Sequence, residues 1–212
     1  AYAAAANCAP SRASLMTGLY TPRHGVFTVG NSDRGKAAHR RLIPATNKTV
    51  LTRTLPTMAQ VLKKAGYRTA VAGKWHLSDD PIPYGFDTNF GGLKWGAPKS
   101  YFSPYRNPKL KDGPKGEHLP ARLATDLCHW IRNAEEKSER FFVYFPFYSV
   151  HTPIQARADL TARYNGKSGT HHSNAKYAAM IEAMDLAVGQ ILDLLDELKL
   201  AGNTLVVFTS DN

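Results

Sequence analysis

Between residues 174 and 200 the apolar side chains Tyr177, Ile181, Met184, Val188, Ile191, Leu195 and Leu198 recur in alternating steps of four and three. That spacing stacks them on one face of a helix, with Gly202 as its stop. Leu55, Met58, Leu62 and Ala65 repeat the pattern on a smaller scale and predict a helix over 55–65. Thr54 is its available cap, Pro56 lies in its first turn and Gly66 ends it. Residues 120–136 also read as helical. A short helix is predicted over 11–18, with Pro10 near its first turn and Gly18 at its stop.

Three apolar runs lack this period. Residues 67–72, 141–148 and 204–208 predict strands, the latter two buried on both faces. Pro146 in the second run speaks for an edge or a strand end. Residues 21–54 are rich in Gly, Pro, Asn, Thr and basic side chains and read as loop. Residues 78–118 form a longer turn-rich stretch, of a length that is usually functional or partly structured. Helices alternating with strands predict an α/β fold with a largely parallel sheet.

Each predicted strand runs directly into polar residues: Gly73-Lys74-Trp75-His76, Ser149-Val150-His151-Thr152-Pro153 and Thr209-Ser210-Asp211-Asn212. Open parallel sheets build their sites at the carboxyl ends of the strands, so three segments distant in sequence are expected at one rim.

Composition narrows the class without naming a function. The 212 residues are 43% hydrophobic and 21% charged, ordinary values for a chain with a substantial core and not for a disordered one. No apolar run approaches the ~20 residues needed to span a bilayer. Two cysteines, Cys8 and Cys128, are too few for a disulfide scaffold or a four-thiolate zinc site. The formal charge of +10 suits an anionic substrate, a polyanion or simply a solvated surface. The basic residues form no dense run and no nucleic-acid reading module is present, so nucleic acid is not an expected partner. Ala1–Ala6 lacks the features of a signal peptide, and Asp211 and Asn212 follow at once on a strand-like run. The expectation is a fragment of a longer protein.

The candidate chemistry sits at those strand ends and at the first helix. Lys74 and His76, two apart, share a side of extended backbone, with Trp75 on the other. Alone they suit a solvated lysine and a structural histidine as well as a ligand pair; their strand-end position favours the site. His151 can exchange a proton near neutral pH, or be a plain loop histidine. Asp211 and Asn212 are hard oxygen donors for Ca2+ or Mg2+, and equally turn formers. Cys8 lies at or just before a helix N-terminus, where amides favour an anion, and Arg12 can face the same side. An inert buried thiol and a thiolate nucleophile are the other readings. Cys128 reads as packing, His171-His172 as a solvated turn, and His24 is undecided.

Cys8-Ala9-Pro10-Ser11-Arg12, continuing to Thr17-Gly18, resembles the first signature of the type I sulfatases. Residues 66–77, Gly-Tyr-Arg-Thr-Ala-Val-Ala-Gly-Lys-Trp-His-Leu, resemble the second, and Val150-His151-Thr152-Pro153 and Phe208-Thr209-Ser210-Asp211-Asn212 resemble later motifs in the right order. The resemblance implies an alkaline-phosphatase-like sheet flanked by helices, incomplete at both ends. Residues 1–212 would be the central part of an N-terminal catalytic domain, without its upstream metal-binding strand and without a C-terminal subdomain. It implies oxidation of Cys8 to formylglycine by a maturing enzyme and a bound Ca2+, or Mg2+ in its place, held by residue 8, Asp211 and Asn212. Cys8, Arg12, Lys74, His76 and His151 would be the catalytic residues. One hydroxyl of the hydrated aldehyde attacks sulfur, Arg12 holds it, Lys74 and His76 bind the sulfate, and His151 protonates the leaving alcohol. The implied substrate is a sulfated saccharide or aryl sulfate, in the manner of bacterial polysaccharide sulfatases acting in the periplasm or after secretion. The family's paired N-terminal aspartates would lie before Ala1 and a further lysine beyond Asn212, so this segment alone is expected to be inactive and poorly folded. The alternatives are a phosphatase or phosphodiesterase of the same superfamily and a sulfated-glycan binder whose Cys8 is never converted. The loop 95–106, with Lys99 and Arg106, is a candidate sugar contact.

Overall fold

The computed structural model describes residues 3–167 and 173–212, so His171-His172 lie outside the described residues. In chain order the helices are α1 (Cys8–Thr17), the single turn α2 (Thr21–His24), α3 (Met58–Lys64), α4 (Leu119–Glu136), α5 (Ala158–Ala162) and α6 (Ala175–Glu197). The strands are β1 (Arg68–Ala72), β2 (Thr88–Phe90) and β3 (Phe141–Tyr144). They form a parallel sheet in the order β2-β1-β3, with Ala70 opposite both Thr88 and Val143.

The alternation of β1 feeds two cores. Val71 points to one face, where Ala9, Ala13 and Met16 of α1 and Ala59 of α3 pack with Trp75, Phe86, Phe142 and Tyr144. Ala70 and Ala72 point to the other, against Leu123, Leu127 and Ile131 of α4 and Met180, Leu194 and Leu195 of α6. Because β1 is covered on both faces, its small side chains are fully buried. The result is the expected α/β sandwich, a parallel sheet flanked by helices.

Several elements differ from the sequence reading. Helix α1 begins three residues earlier than predicted, which puts Cys8 in its first turn. Helix α3 starts later, capped by Thr57 and not Thr54: Thr57 accepts from the Gln60 N–H while the Gln60 side chain accepts from the Thr57 N–H. Residues 78–118 hide β2. Strand β3 stops at Tyr144, and its half-buried residues contrast with the two-faced burial expected, since only β1 pairs with it. In α6 the packed face is Ala179, Met180, Ala183, Ala187, Leu194 and Leu195, and Ile181 is exposed. Ala179 and Ala183 are small enough to sit against Leu160 of α5, which rotates the buried stripe from that of the larger residues. The helix closes at Leu198, ahead of Gly202, with Lys199 in the left-handed region. Residues 204–208 do not form the predicted strand. They have no ladder partner among the described residues, and Leu205 and Phe208 are 89% and 73% exposed. An apolar run becomes a strand only where a neighbour offers its backbone.

Candidate active site

The first helix sets the geometry. Its N-cap, Asn7, is extended and makes no side-chain cap; its amide donates instead to Thr28 Oγ1 at 3.0 Å. The first-turn amides of α1 are thus not capped by the Asn7 side chain beside Cys8, which is a partly exposed free thiol. One turn on, Arg12 is buried, at 5% exposure. Its Nε and one terminal nitrogen both donate to Asp211 Oδ2, at 2.8 and 2.7 Å. The other terminal nitrogen donates to the Lys74 carbonyl and, at 3.4 Å, to the Tyr144 hydroxyl. One guanidinium therefore joins α1, the end of β1, the end of β3 and the segment after residue 208.

The turn after β1 is stitched to both neighbouring strands. Gly73 donates to the Phe90 carbonyl at 2.9 Å, and Lys74 to the Pro146 carbonyl at 2.7 Å. Gly73 has φ +105, and a Cβ there would lie 2.3 Å from the Pro146 oxygen, so only glycine fits. Trp75 turns into the core and donates to Ser78 Oγ at 2.7 Å. The backbone here is not extended as the spacing argument assumed, since Gly73 has φ +105 and His76 lies in the left-handed region with φ +64, yet Lys74 and His76 are close enough to interact. Lys74 is 3% exposed. Burial, then the Arg12 charge, lowers its pKa, with the Cys8 sulfur and Asp211 acting in the opposite sense. His76 donates its backbone N–H to Leu93, and its ring lies against Gly96, where a Cβ would fall 2.6 Å from Cε1. Burial, followed by Lys74 and Arg12, lowers its pKa to about 4, so the imidazole is neutral at pH 7. Its Nδ1 is buried and has no hydrogen-bond partner among the described residues.

His151 follows β3 on an exposed turn. Its Nδ1 lies 2.9 Å from the Thr152 carbonyl, an acceptor, so Nδ1 carries a hydrogen and Nε2 is the nitrogen left for proton exchange. The Tyr101 hydroxyl donates to the His151 carbonyl at 2.9 Å and pins the turn. His24, undecided from the sequence, is structural. It accepts the Val26 N–H at Nδ1, so Nε2 donates to Ser14 Oγ at 3.0 Å and ties α2 to α1. Cys128 is buried, as expected for packing.

Cys8, Arg12, Lys74, His76, His151 and Asp211 thus gather at one rim: Lys74 interacts with Cys8 and Asp211, and His76 with Lys74, Arg12, Asp211 and His151. Asn212 follows Asp211 but is exposed. The sequence reading missed Gly96, Tyr101 and Tyr144, whose roles arise only from tertiary contact. The rim is cationic, with one carboxylate and two buried cations, a setting that accepts a tetrahedral anion. The divalent cation implied by the resemblance finds no complete cage among the described residues. No group of three or more His, Cys, Asp or Glu among the described residues could hold a metal ion, and Asp211 is engaged by Arg12. Asp211 and Asn212 would need further donors.

Residues 1–212 match the protein family described as Sulfatase. The chain is 32% identical to N-acetylgalactosamine-6-sulfatase of Sus scrofa, covering 100% of this chain and 42% of the relative. It is 31% identical to a sulfatase of Formosa agariphila over 97% of this chain and 48% of that protein. Its fold is similar to that of Ps i-CgsB in complex with k-i-k-neocarrahexaose, with TM-score 0.74 and 24% identity over 94% of this chain and 46% of the other. The chain therefore spans about half the length of the relatives it matches.

Proposed function

The chain belongs to the sulfatase family, and on that premise we propose that the intact protein hydrolyses sulfate esters of a sulfated carbohydrate at the rim built by Cys8, Arg12, Lys74, His76 and His151. The observation that carries this reading is the convergence of a partly exposed Cys8 in the first turn of α1 with buried Arg12 and Lys74 and a neutral His76.

Each residue then has work suited to its surroundings. The accessible position of Cys8 within Cys-x-Pro-x-Arg fits conversion to formylglycine by a maturing enzyme, and that group when present supplies the hydroxyl that attacks sulfur. Arg12, fixed by Asp211 and the Lys74 carbonyl, orients residue 8. Lys74 and His76 bind the sulfate oxygens, the ammonium by charge and the neutral imidazole as donor at Nε2. His151, as the imidazolium that keeps Nδ1–H on the Thr152 carbonyl, gives its Nε2 proton to the departing alkoxide and is left neutral. Asp211 and Asn212 are the proposed contribution to a Ca2+ or Mg2+ site completed by other donors, and no step is derived through it. The reading that residues 1–212 are the central part of a catalytic domain remains part of this proposal. So does action in the periplasm or after secretion; among the described residues no helix is long and apolar enough to cross a membrane.

The relatives' names support a saccharide sulfate as substrate. A Thr or Ser nucleophile would mark the phosphatase alternative, and Cys8 stands there instead. The test is the intact protein co-expressed with a formylglycine-generating enzyme. Mass spectrometry should find residue 8 about 18 Da lighter than cysteine, sulfate should be released from sulfated saccharides, and Cys8→Ala should release none. Phosphate-ester turnover exceeding sulfate-ester turnover would overturn the proposal, as would an unmodified thiol in fully active protein.

A further inference from the structure

Three tryptophans are present, and two are spent on the core. Trp75 and Trp130 are buried, and their indole N–H groups donate to Ser78 and Thr88. Trp95 belongs to neither large core cluster, is only partly covered and makes no indole hydrogen bond among the described residues. Its face is instead occupied by an ammonium: Lys99 Nζ stands 5.1 Å from the ring centroid. Lys99 is exposed and has no carboxylate partner among the described residues, whereas the adjacent Lys94 is paired with Asp79.

The position of this pair gives it meaning. Leu93 accepts the His76 N–H, and Gly96 lies against the His76 ring. Farther along the same loop, Tyr101 holds the His151 carbonyl and takes the Gln155 side chain on its own N–H at 2.8 Å. The stretch from Leu93 to Tyr101 is thus anchored at one end to the histidine proposed to bind sulfate and at the other to the one proposed to protonate the leaving group. Trp95 directly precedes the glycine that touches His76, so the pair stands on the loop that borders the proposed sulfate site.

We propose that Trp95 and Lys99 form a binding site for the saccharide unit next to the one that bears the scissile sulfate. The indole face opposite Lys99 takes the apolar face of a pyranose, and the Lys99 ammonium takes an anionic group on that unit, a sulfate or a carboxylate. The substrate class is then a sulfated oligosaccharide or polysaccharide with at least two anionic groups on adjacent units. This rests on the sulfatase reading above.

The test uses the intact, matured protein with 4-nitrophenyl sulfate and with tetrasaccharides of chondroitin 6-sulfate, ι-carrageenan and heparin. Trp95→Ala and Lys99→Met should raise KM for the tetrasaccharide that is turned over about tenfold with kcat nearly unchanged. Trp95→Phe and Lys99→Arg should restore most of that loss, and the distant Lys137→Met should change nothing. In a Cys8→Ser background, binding of that tetrasaccharide should perturb tryptophan fluorescence, and the perturbation should vanish in Trp95→Phe. Sulfate release from a tetrasaccharide with the same KM in the Trp95 and Lys99 variants would overturn the proposal. So would turnover of the aryl sulfate with no binding of any tetrasaccharide. Failure of the wild type to release sulfate from all four substrates would instead overturn the sulfatase reading.

Discussion

Arg12 holds Asp211 with two nitrogens and the Lys74 carbonyl with a third, so the shape of its guanidinium matters as much as its charge. A lysine at this position cannot span α1, β1 and Asp211 together. Arg12→Lys is expected to lower kcat/KM of the intact protein, per converted residue 8 as counted by mass spectrometry, by about 100-fold or more; activity near wild type would show that Arg12 is only a counter-charge. The two glycines of the rim separate stability from function. Gly96 lies outside the left-handed region, and its Cβ would meet the His76 ring and not backbone. Gly96→Ala should displace that imidazole, lowering kcat/KM about 10- to 100-fold with a stability change near 1 kcal/mol. Gly73 has φ +105 and faces a backbone carbonyl, so Gly73→Ala should destabilise the fold by about 3 kcal/mol and fail in both assays. Parallel urea titrations and kinetics on the two variants distinguish these outcomes.

Helix ends and strand ends fix where the site falls, and the elements differ in how far their own residues reveal them. The long apolar period around α6 and the Gly-Lys-Trp-His sequence after β1 were legible, because local pattern alone places them. Strand β2 was not: Thr88, Asn89 and Phe90 are half-buried, show no alternation, and become a strand only through the register with Ala70 and Ala72. The opposite error, at residues 204–208, has the same origin, since pairing is a property of two chains of backbone and not of one. Within the site, Cys8, Arg12, Lys74, His76 and His151 could be chosen from motif and position, while the Gly96 contact and the Tyr101 anchor exist only once distant loops meet. Element stability also carries a pH signature. His118, the residue before α4, is 5% exposed, and burial followed by the Arg157 charge lowers its pKa to about 4, against the smaller opposing effect of the Gln155 backbone. The unfolded chain takes up that proton near pH 6.5 and the folded chain does not. Folding stability is therefore complete above about pH 6.5 and falls as the pH drops toward 4, by on the order of 3 kcal/mol for this group. His24, lowered in the same direction by burial and Lys48, adds to the loss. Urea midpoints measured from pH 7 to 4 should fall monotonically, and His118→Leu should flatten the fall; an unchanged slope would remove His118 as a cause.

At the scale of the whole chain, the excess of ten positive charges acts on a substrate in a way that depends on where the charges stand. Arg12 and Lys74 are buried against residue 8, so salt screens them weakly. Lys99 and most other basic residues are at the surface, where interactions beyond a Debye length of about 8 Å are lost at physiological ionic strength. A small aryl sulfate presents its single charge to the buried pair and should feel the surface little. A multiply charged saccharide bound at the proposed Trp95–Lys99 site would lie along the surface, be drawn in by the same field, and lose that attraction as salt rises. Raising NaCl from 50 to 500 mM should lower kcat/KM for the tetrasaccharide substrate by about tenfold and for 4-nitrophenyl sulfate by less than about threefold. The tetrasaccharide loss should lie mainly in KM, since the field acts on encounter and binding and not on the bond being broken. Lys99→Met should make the salt dependence for the tetrasaccharide shallower, because one of the screened contacts is already gone. Equal salt dependence for the two substrates would mean that the surface charge only solvates the protein, and recognition would then rest on the buried rim alone.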